Sequence, residues 1–418
     1  MKLFLIFFLT AFPFRLTAQT DTTVYKLYKN RPALEYRLNK EIINKKISLP
    51  LNDSTEDAWD DTFFAIQYLN RRDAWLESRI RIAVTDIHNR SYDFSRALLE
   101  LLYGQYPGTF KKEIEKYLPN IKDQKVWAMA AEYLLRDASN SERKKLEELG
   151  RRKLKEDPIS PFYISFMENF EQEKTTTDKL HTFFEKKYLP GNVLMISVQR
   201  KNRDYPGLVV VRDSAGNFLK DTSGKLFHVP QLARSLSGLP GYLTNGNTPA
   251  GILRMDGFDV SKAGAIGPTQ NVQLTLPLEF NAKHFLRDST LADTVLQINA
   301  YRDLLPRNLR NSKQLYGAFY AGMAGRHEII AHGTTVIPEY YRGKPYYPFT
   351  PTLGCLCTYE SWSDSSELRI ASDQQLLIDA IKKAGGPSGY AIVIDLDDSD
   401  CPVNIEEVYH LLRKAGNE

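Results

Sequence analysis

The sequence predicts an α+β chain of more than one domain: an all-helical N-terminal part, then a β-rich part that closes with helices. Three observations carry this. From about Lys40 to Tyr188, apolar residues recur at spacings of three and four, the period of helices with one buried face. At Leu189-Pro190-Gly191-Asn192 the pattern changes to β-branched runs separated by Gly and Pro, which reads as strands joined by turns. With 418 residues, 42% of them hydrophobic, the chain is long enough to bury two cores.

Taken in order, Met1-Lys2 and the apolar run from Leu3 to Phe12, followed by Leu16-Thr17-Ala18, have the pattern of a secretory signal peptide over residues 1–18. The run is short for a membrane span. Cleavage after Ala18 is the simplest reading, and an uncleaved anchor is the alternative. No later stretch approaches 18 consecutive apolar residues, so the mature chain is expected outside the cytoplasm, in the periplasm or cell envelope, with no transmembrane segment. Losing Lys2 and Arg15 leaves 53 basic residues (55 less 2) against 51 acidic ones. That near-neutral balance gives no reason to expect a nucleic acid partner.

Residues 19–188 form the helical domain. Segments beginning at Ala65, Ala97 and Ala131 resemble one another at a spacing of roughly 33 residues, the length of a stacked helix pair. A short α-solenoid and an irregular bundle are both compatible with that. Turns fall at Tyr106-Pro107-Gly108, Leu118-Pro119-Asn120 and Asp157-Pro158. Residues 189–418 form the second domain, with strand patterns at Val193–Val198 and Leu208–Arg212. Gly and Pro stay dense to Pro351, which favours strands over helices there. Gln374 to Ala384 then reads as a helix, Tyr390 to Leu396 as a strand, and Ile405 to Ala415 as a closing helix.

Chemistry concentrates in two short segments. Glu328 to Thr335 sets His332-Gly333 at the end of an apolar strand, and Pro351 to Cys357 sets Gly354-Cys355 23 residues further on. A thiol attacks only as thiolate, and a neighbouring imidazole that takes its proton supplies that form near neutral pH. Glycine beside the thiol lets a substrate backbone approach. A zinc site from His327, His332, Cys355 and Cys357 is disfavoured, because tetrahedral sites use tighter paired spacings.

Four elements occur in order: Thr248-Pro249-Ala250-Gly251, His332-Gly333, Thr352-Leu353-Gly354-Cys355, and the helix and strand from Asp373 to Ile394. Over residues 190–400 the chain thereby resembles the YkuD-type L,D-transpeptidase catalytic domain. The resemblance implies a Cys355 nucleophile with His332 as base, and a site shaped by Gly333, Thr352, Leu353 and Gly354. It also implies a thioester formed with a peptidoglycan stem peptide and passed to an amine acceptor, and no cofactor or metal. An L,D-carboxypeptidase or hydrolase on the same site, or an envelope scaffold with a lapsed site, are the alternatives. The helical domain is expected to present substrate or to dock an envelope protein.

Two positions depart from the family pattern. Leu353 stands where many members have His, and it keeps the backbone carbonyl. Cys357 stands where a basic residue usually orders the substrate; Arg254, Lys262, Arg326 and Arg342 are the basic residues available to replace it, with Tyr341 as a further substrate contact. Tyr340, Tyr341, Tyr346, Tyr347 and Phe349 lie in the loop between the two segments, either as a lid over the site or as ordinary packing. Three cysteines in an exported chain leave one unpaired. A Cys357–Cys401 disulfide would leave Cys355 free and close a loop of about 45 residues, for roughly 3 to 4 kcal/mol. Buried unpaired thiols, or a redox pair that includes Cys355, are the other readings.

Overall fold

The computed structural model describes residues 31–171, 177–363 and 368–417. The signal-peptide stretch and Ala18 lie outside the described residues. The chain is a mixed α+β structure in which a succession of helices precedes a closed eight-stranded barrel.

Helix α1 (Arg31–Tyr36) runs into a π-helical segment (Arg37–Asn44). It is followed by α2 (Glu56–Tyr68), α3 (Ala74–Asp86), α4 (Tyr92–Gln105), α5 (Lys111–Tyr117), α6 (Gln124–Arg136), α7 (Asn140–Glu156) and α8 (Pro161–Glu168). Several starts are written in the sequence. The side chains of Asp73, Ser91, Asp123, Ser139 and Ser160 each accept a backbone N–H from the first turn of α3, α4, α6, α7 and α8, satisfying a donor that the helix cannot. Pro161 occupies a first-turn position, where its missing N–H costs nothing.

Helix α2 packs on α4, α4 on α6, and α6 on α8. Side-chain bonds tie the helices and their connections together: Arg72 to the Gln105 carbonyl at 3.1 Å, Gln124 to Asp157 at 2.8 Å, and Asn169 to Glu132 at 2.8 Å. Edge-to-face contacts of Phe63 with Phe94 and of Trp127 with Phe166 fill the interior. Helix α7 carries its charges along an exposed face, with Arg151 paired to Glu147 one turn away.

The barrel strands are β1 (Val193–Gln199), β2 (Gly207–Arg212), β3 (His228–Leu232), β4 (Gly251–Asp259), β5 (Asn271–Thr275), β6 (Ile330–His332), β7 (Leu356–Thr358) and, after a two-stranded sheet of β8 (Glu360–Trp362) and β9 (Arg369–Ser372), β10 (Gly389–Asp395). Around the barrel they run β1-β10-β4-β5-β6-β7-β3-β2. The β1–β10 and β6–β7 pairs are parallel and the others antiparallel.

Strand β1 is buried along its whole length because both of its faces are covered. Leu194, Ile196 and Val198 join a core with the short helices α9 (Ala282–Leu286), α10 (Ile298–Leu304) and α11 (Gly317–Met323) and the closing α13 (Ile405–Lys414). Val193 and Met195 join a second core with α12 (Asp373–Lys383). Two-sided burial is what makes such strands read as continuous apolar runs.

One expectation is corrected here. The Gly- and Pro-rich stretch between β5 and β6 holds helices α9, α10 and α11 rather than strands. These helices are too short for a clear helical period, and they are set by local stops: Arg287 ends α9 in the left-handed region, and Pro306 closely follows α10.

The helices and the barrel share apolar cores. Leu239, Tyr242 and Leu243, from the segment after β3, are buried in the core of the helical part. Leu232, Leu236, Tyr341 and Tyr346 of the barrel pack with Phe64 and Tyr68 of α2.

Candidate functional site

The parallel pairing of β6 with β7 sets His332 opposite Cys357. Cys355 sits just before β7, two residues back from that pairing, or roughly 6 to 7 Å of strand. The two motif segments are therefore neighbours although 23 residues apart in sequence.

His332 is buried. Its Nδ1 lies 2.6 Å from the Gly333 carbonyl oxygen. A carbonyl can only accept, so Nδ1 carries the proton and Nε2 is left as the basic nitrogen. Burial pushes its pKa down to about 4, against the opposing hydrogen bond to Gly333. The imidazole is therefore neutral at any pH near neutrality, with Nε2 unprotonated, and burial makes it a weaker base than an exposed histidine.

Cys355 is half-buried, and its Sγ donates to the Glu328 carbonyl at 3.8 Å. Burial pushes the thiol up; the Ile330 backbone N–H and the Arg326 guanidinium act in the opposite direction. Among the described residues no hydrogen bond joins this thiol to His332.

The Gly354-Cys355 turn is pinned from several sides. Gly354 has φ 115°, a left-handed-side conformation that favours glycine. A Cβ there would overlap Arg326 Nη2 and lie 2.5 Å from the Gly246 carbonyl oxygen. Thr352 Oγ1 accepts the Gly354 N–H at 3.0 Å and donates to the Cys355 carbonyl at 2.9 Å. Thr248 Oγ1, from the Thr-Pro-Ala-Gly segment, donates to the Gly354 carbonyl at 2.9 Å. Leu353 points to solvent, 48% exposed, and offers apolar surface beside the thiol. Gly333 is glycine for lack of room, since a Cβ there would overlap the Glu360 carboxyl group.

The chain matches no family model, no curated protein and no solved structure. What the site can do follows from its own geometry.

The candidates Arg254, Arg326, Arg342 and Tyr341 separate clearly. Arg326 lies against Gly354, buried, with Nη1 donating to the carbonyls of Gly241 and, at 2.8 Å, Asn247, and Nη2 to that of Gly246 at 3.1 Å. No carboxylate lies within ion-pair distance of it among the described residues. Burial lowers its pKa to about 10, still far enough up to keep it charged.

Arg254 is paired with Asp256 at 2.6 Å on β4, and β5 separates that strand from β6. Arg342 is exposed in the β6–β7 connection, and its side chain makes no hydrogen bond or ion pair among the described residues. Tyr341 is buried, with its hydroxyl donating to the Tyr68 carbonyl at 2.8 Å. It is a contact to α2, not a residue that faces a substrate. The lid reading of this loop gives way for the same reason: Tyr340 bonds Glu35 at 2.8 Å, and Tyr346 packs on Tyr341.

The Cys357–Cys401 disulfide is also corrected, since all three cysteines are free. Cys357 is buried in β7 with Sγ donating to the Thr358 carbonyl at 3.6 Å, while Cys401 is exposed and accepts from Arg200 at 3.6 Å. Among the described residues no group of three or more His, Cys, Asp or Glu is arranged to hold a metal ion, and no helix is long and apolar enough to cross a membrane.

Glu360 went unnoticed in the sequence. It is buried; Oε1 accepts from Thr269 and, at 2.5 Å, from Ser372, while Oε2 has no hydrogen-bond partner among the described residues. The signal was available: Leu356, Thr358, Glu360 and Trp362 alternate as one buried face, and an acid in that series faces inward.

Proposed function

We propose that this chain is a cysteine acyltransferase of the cell envelope, an L,D-transpeptidase acting on peptidoglycan stem peptides. The observation that carries the reading is the Thr248 hydroxyl on the Gly354 carbonyl. It joins the Thr-Pro-Ala-Gly element to the nucleophile turn, while the β6–β7 pairing brings the His-Gly element beside both. Three motif elements distant in sequence thus lie on or beside the segment that carries the thiol.

In the proposed reaction the Cys355 thiol turns from the Glu328 carbonyl toward Nε2 of His332, which takes its proton. The sulfur attacks the carbonyl carbon of a donor stem residue, and the Cys355 backbone N–H steadies the oxyanion. As the intermediate collapses, the bond to the terminal residue breaks, and His332 returns the proton to the leaving amine. An acceptor amine then attacks the thioester, losing its proton to His332, and the thiol is restored. Water in place of the amine gives a shortened stem, the carboxypeptidase outcome. In this reading Arg326 takes the place of the basic residue that Cys357 displaces, approaching from the β6 side. The α2-α4-α6-α8 succession supports a short α-solenoid as the helical part.

The test is incubation of the purified protein with defined muropeptides, followed by mass spectrometry. Cross-linked dimers that disappear in Cys355→Ser are expected. Shortened monomers alone would replace the transferase with a hydrolase, and unchanged substrate together with no acyl-enzyme would leave the scaffold reading.

A further inference from the structure

We propose that the helical part positions the nucleophile: the buried acids Glu100 and Glu132 hold a loop of the barrel whose carbonyls in turn hold Arg326 against Gly354-Cys355. The proposal rests on the reading above only in treating Cys355 as the nucleophile.

The loop is residues 235–247, between β3 and β4. It is bonded to itself: the Ser235 N–H donates to Asn247 Oδ1 at 2.9 Å, the Asn247 N–H to the Leu239 carbonyl at 2.7 Å, and Ser237 Oγ to the Asn245 carbonyl at 2.7 Å. A loop closed this way moves as a unit.

Its outer side belongs to the helices. Tyr242 donates to Glu132 of α6 at 2.7 Å and Asn245 to Glu100 of α4 at 2.9 Å, both buried acids. Gly104 of α4 comes so close that an added Cβ would lie 3.0 Å from the carbonyl oxygens of Leu236 and Ser237. That approach accounts for a glycine inside a helix, where it otherwise costs about 1 kcal/mol against alanine.

Its inner side belongs to the site. Gly241, Gly246 and Asn247 are the three residues whose carbonyls receive Arg326, and the next residue, Thr248, holds the Gly354 carbonyl. Three carbonyls converge on one guanidinium only while the loop keeps its shape. Removing its anchors lets Arg326 leave Gly354, and the thiolate loses a cation that favours it.

The experiment measures alkylation of Cys355 by iodoacetamide against pH, resolved by peptide mass spectrometry so that Cys401 does not interfere. Tyr242→Phe keeps the ring in its core and removes one anchor. Asn245→Gly removes the other and suits the left-handed φ of 53° at that position. The double variant is expected to raise the apparent thiol pKa by about one unit, or about tenfold less thiolate below that pKa. Arg326→Gln is expected to give a similar shift, and the triple variant no more than either.

Ile80→Ala empties core space in α3 and removes none of the hydrogen bonds that anchor the loop; it should lower the melting temperature and leave the profile in place. If the double variant moves the profile no more than Ile80→Ala does, the proposal is overturned. If the double variant does not fold, Tyr242→Phe alone decides, with a shift of a few tenths of a unit expected. The readout is the thiol itself, so inactivity on muropeptides with the shift present would count against the acyltransferase reading and not against the coupling.

Discussion

Replacing His332 by glutamine exchanges a titrating ring for a neutral amide that can still donate toward the Gly333 carbonyl. In the native chain, burial carries this histidine from its ordinary 6.5 down to about 4. Between those values the unfolded chain binds a proton that the folded chain does not. The stabilisation tied to the neutral ring is thus complete above pH 6.5, falls about tenfold in equilibrium constant per unit below it, and is flat again below about 4. Two to three units correspond to about 3 kcal/mol.

Other groups slope the opposite way. Burial raises Asp60 and Glu132 to about 7, so the folded chain holds their protons more tightly and gains stability as pH falls through that range. The informative quantity is therefore the difference between wild type and His332→Gln in denaturant unfolding, followed from neutral pH to about 4. It should shrink with falling pH by about 3 kcal/mol. A difference that stays constant would mean that His332 titrates as an exposed histidine does, and the neutral-base argument would fall with it.

Three further outcomes follow from the same contacts. Gly333→Ala forces a methyl group onto the Glu360 carboxyl and should cost about 1 to 3 kcal/mol in denaturation; adding Glu360→Ala should recover part of that loss, and strict additivity would contradict the packing account. Thr248→Val keeps the shape but strands the buried Gly354 carbonyl, at about 1 to 3 kcal/mol, with a changed pH profile for Cys355 alkylation as the local readout. Tyr341→Phe removes only the bond to Tyr68, so it should cost about 1 kcal/mol and leave Cys355 alkylation and muropeptide turnover unchanged; a tenfold fall in turnover would restore Tyr341 as a substrate contact.

Much of the local structure was legible because local chemistry decides it. The apolar runs of β1 and β10 announce strands covered on both faces, whereas the caps Asp73, Ser91, Asp123 and Ser139 fix helix starts that periodicity alone did not place. His332-Gly333 and Gly354-Cys355 were visible as chemistry, and their adjacency follows from one parallel strand pair. What was not legible depends on tertiary partners. Nothing in Tyr340-Tyr341 says that α2 takes up one ring and Glu35 the other hydroxyl. Arg254 and Arg326 are alike in sequence, and only the fold gives the first an aspartate and the second three carbonyls. Helices α9 to α11 are too short for a period to emerge from a segment rich in turn residues.

The pKa shifts at His332 and Cys355 have one main cause and one consequence. Burial disfavours the charged form of each, lowering the imidazole and raising the thiol, so the pair rests neutral and not as thiolate and imidazolium. A small alkylating reagent meets that neutral thiol and depends on the little thiolate present. In the proposed reaction a substrate carbonyl would offer more, because charge leaving the sulfur would be received by the developing oxyanion, and the proton would pass to an unprotonated ring. The buried Arg326, which no carboxylate neutralises among the described residues, adds positive potential where negative charge then develops. Slow alkylation of Cys355 is therefore compatible with catalysis at this site. Acyl-enzyme formation with a donor stem, not general thiol reactivity, is the measurement that separates an active site from a lapsed one.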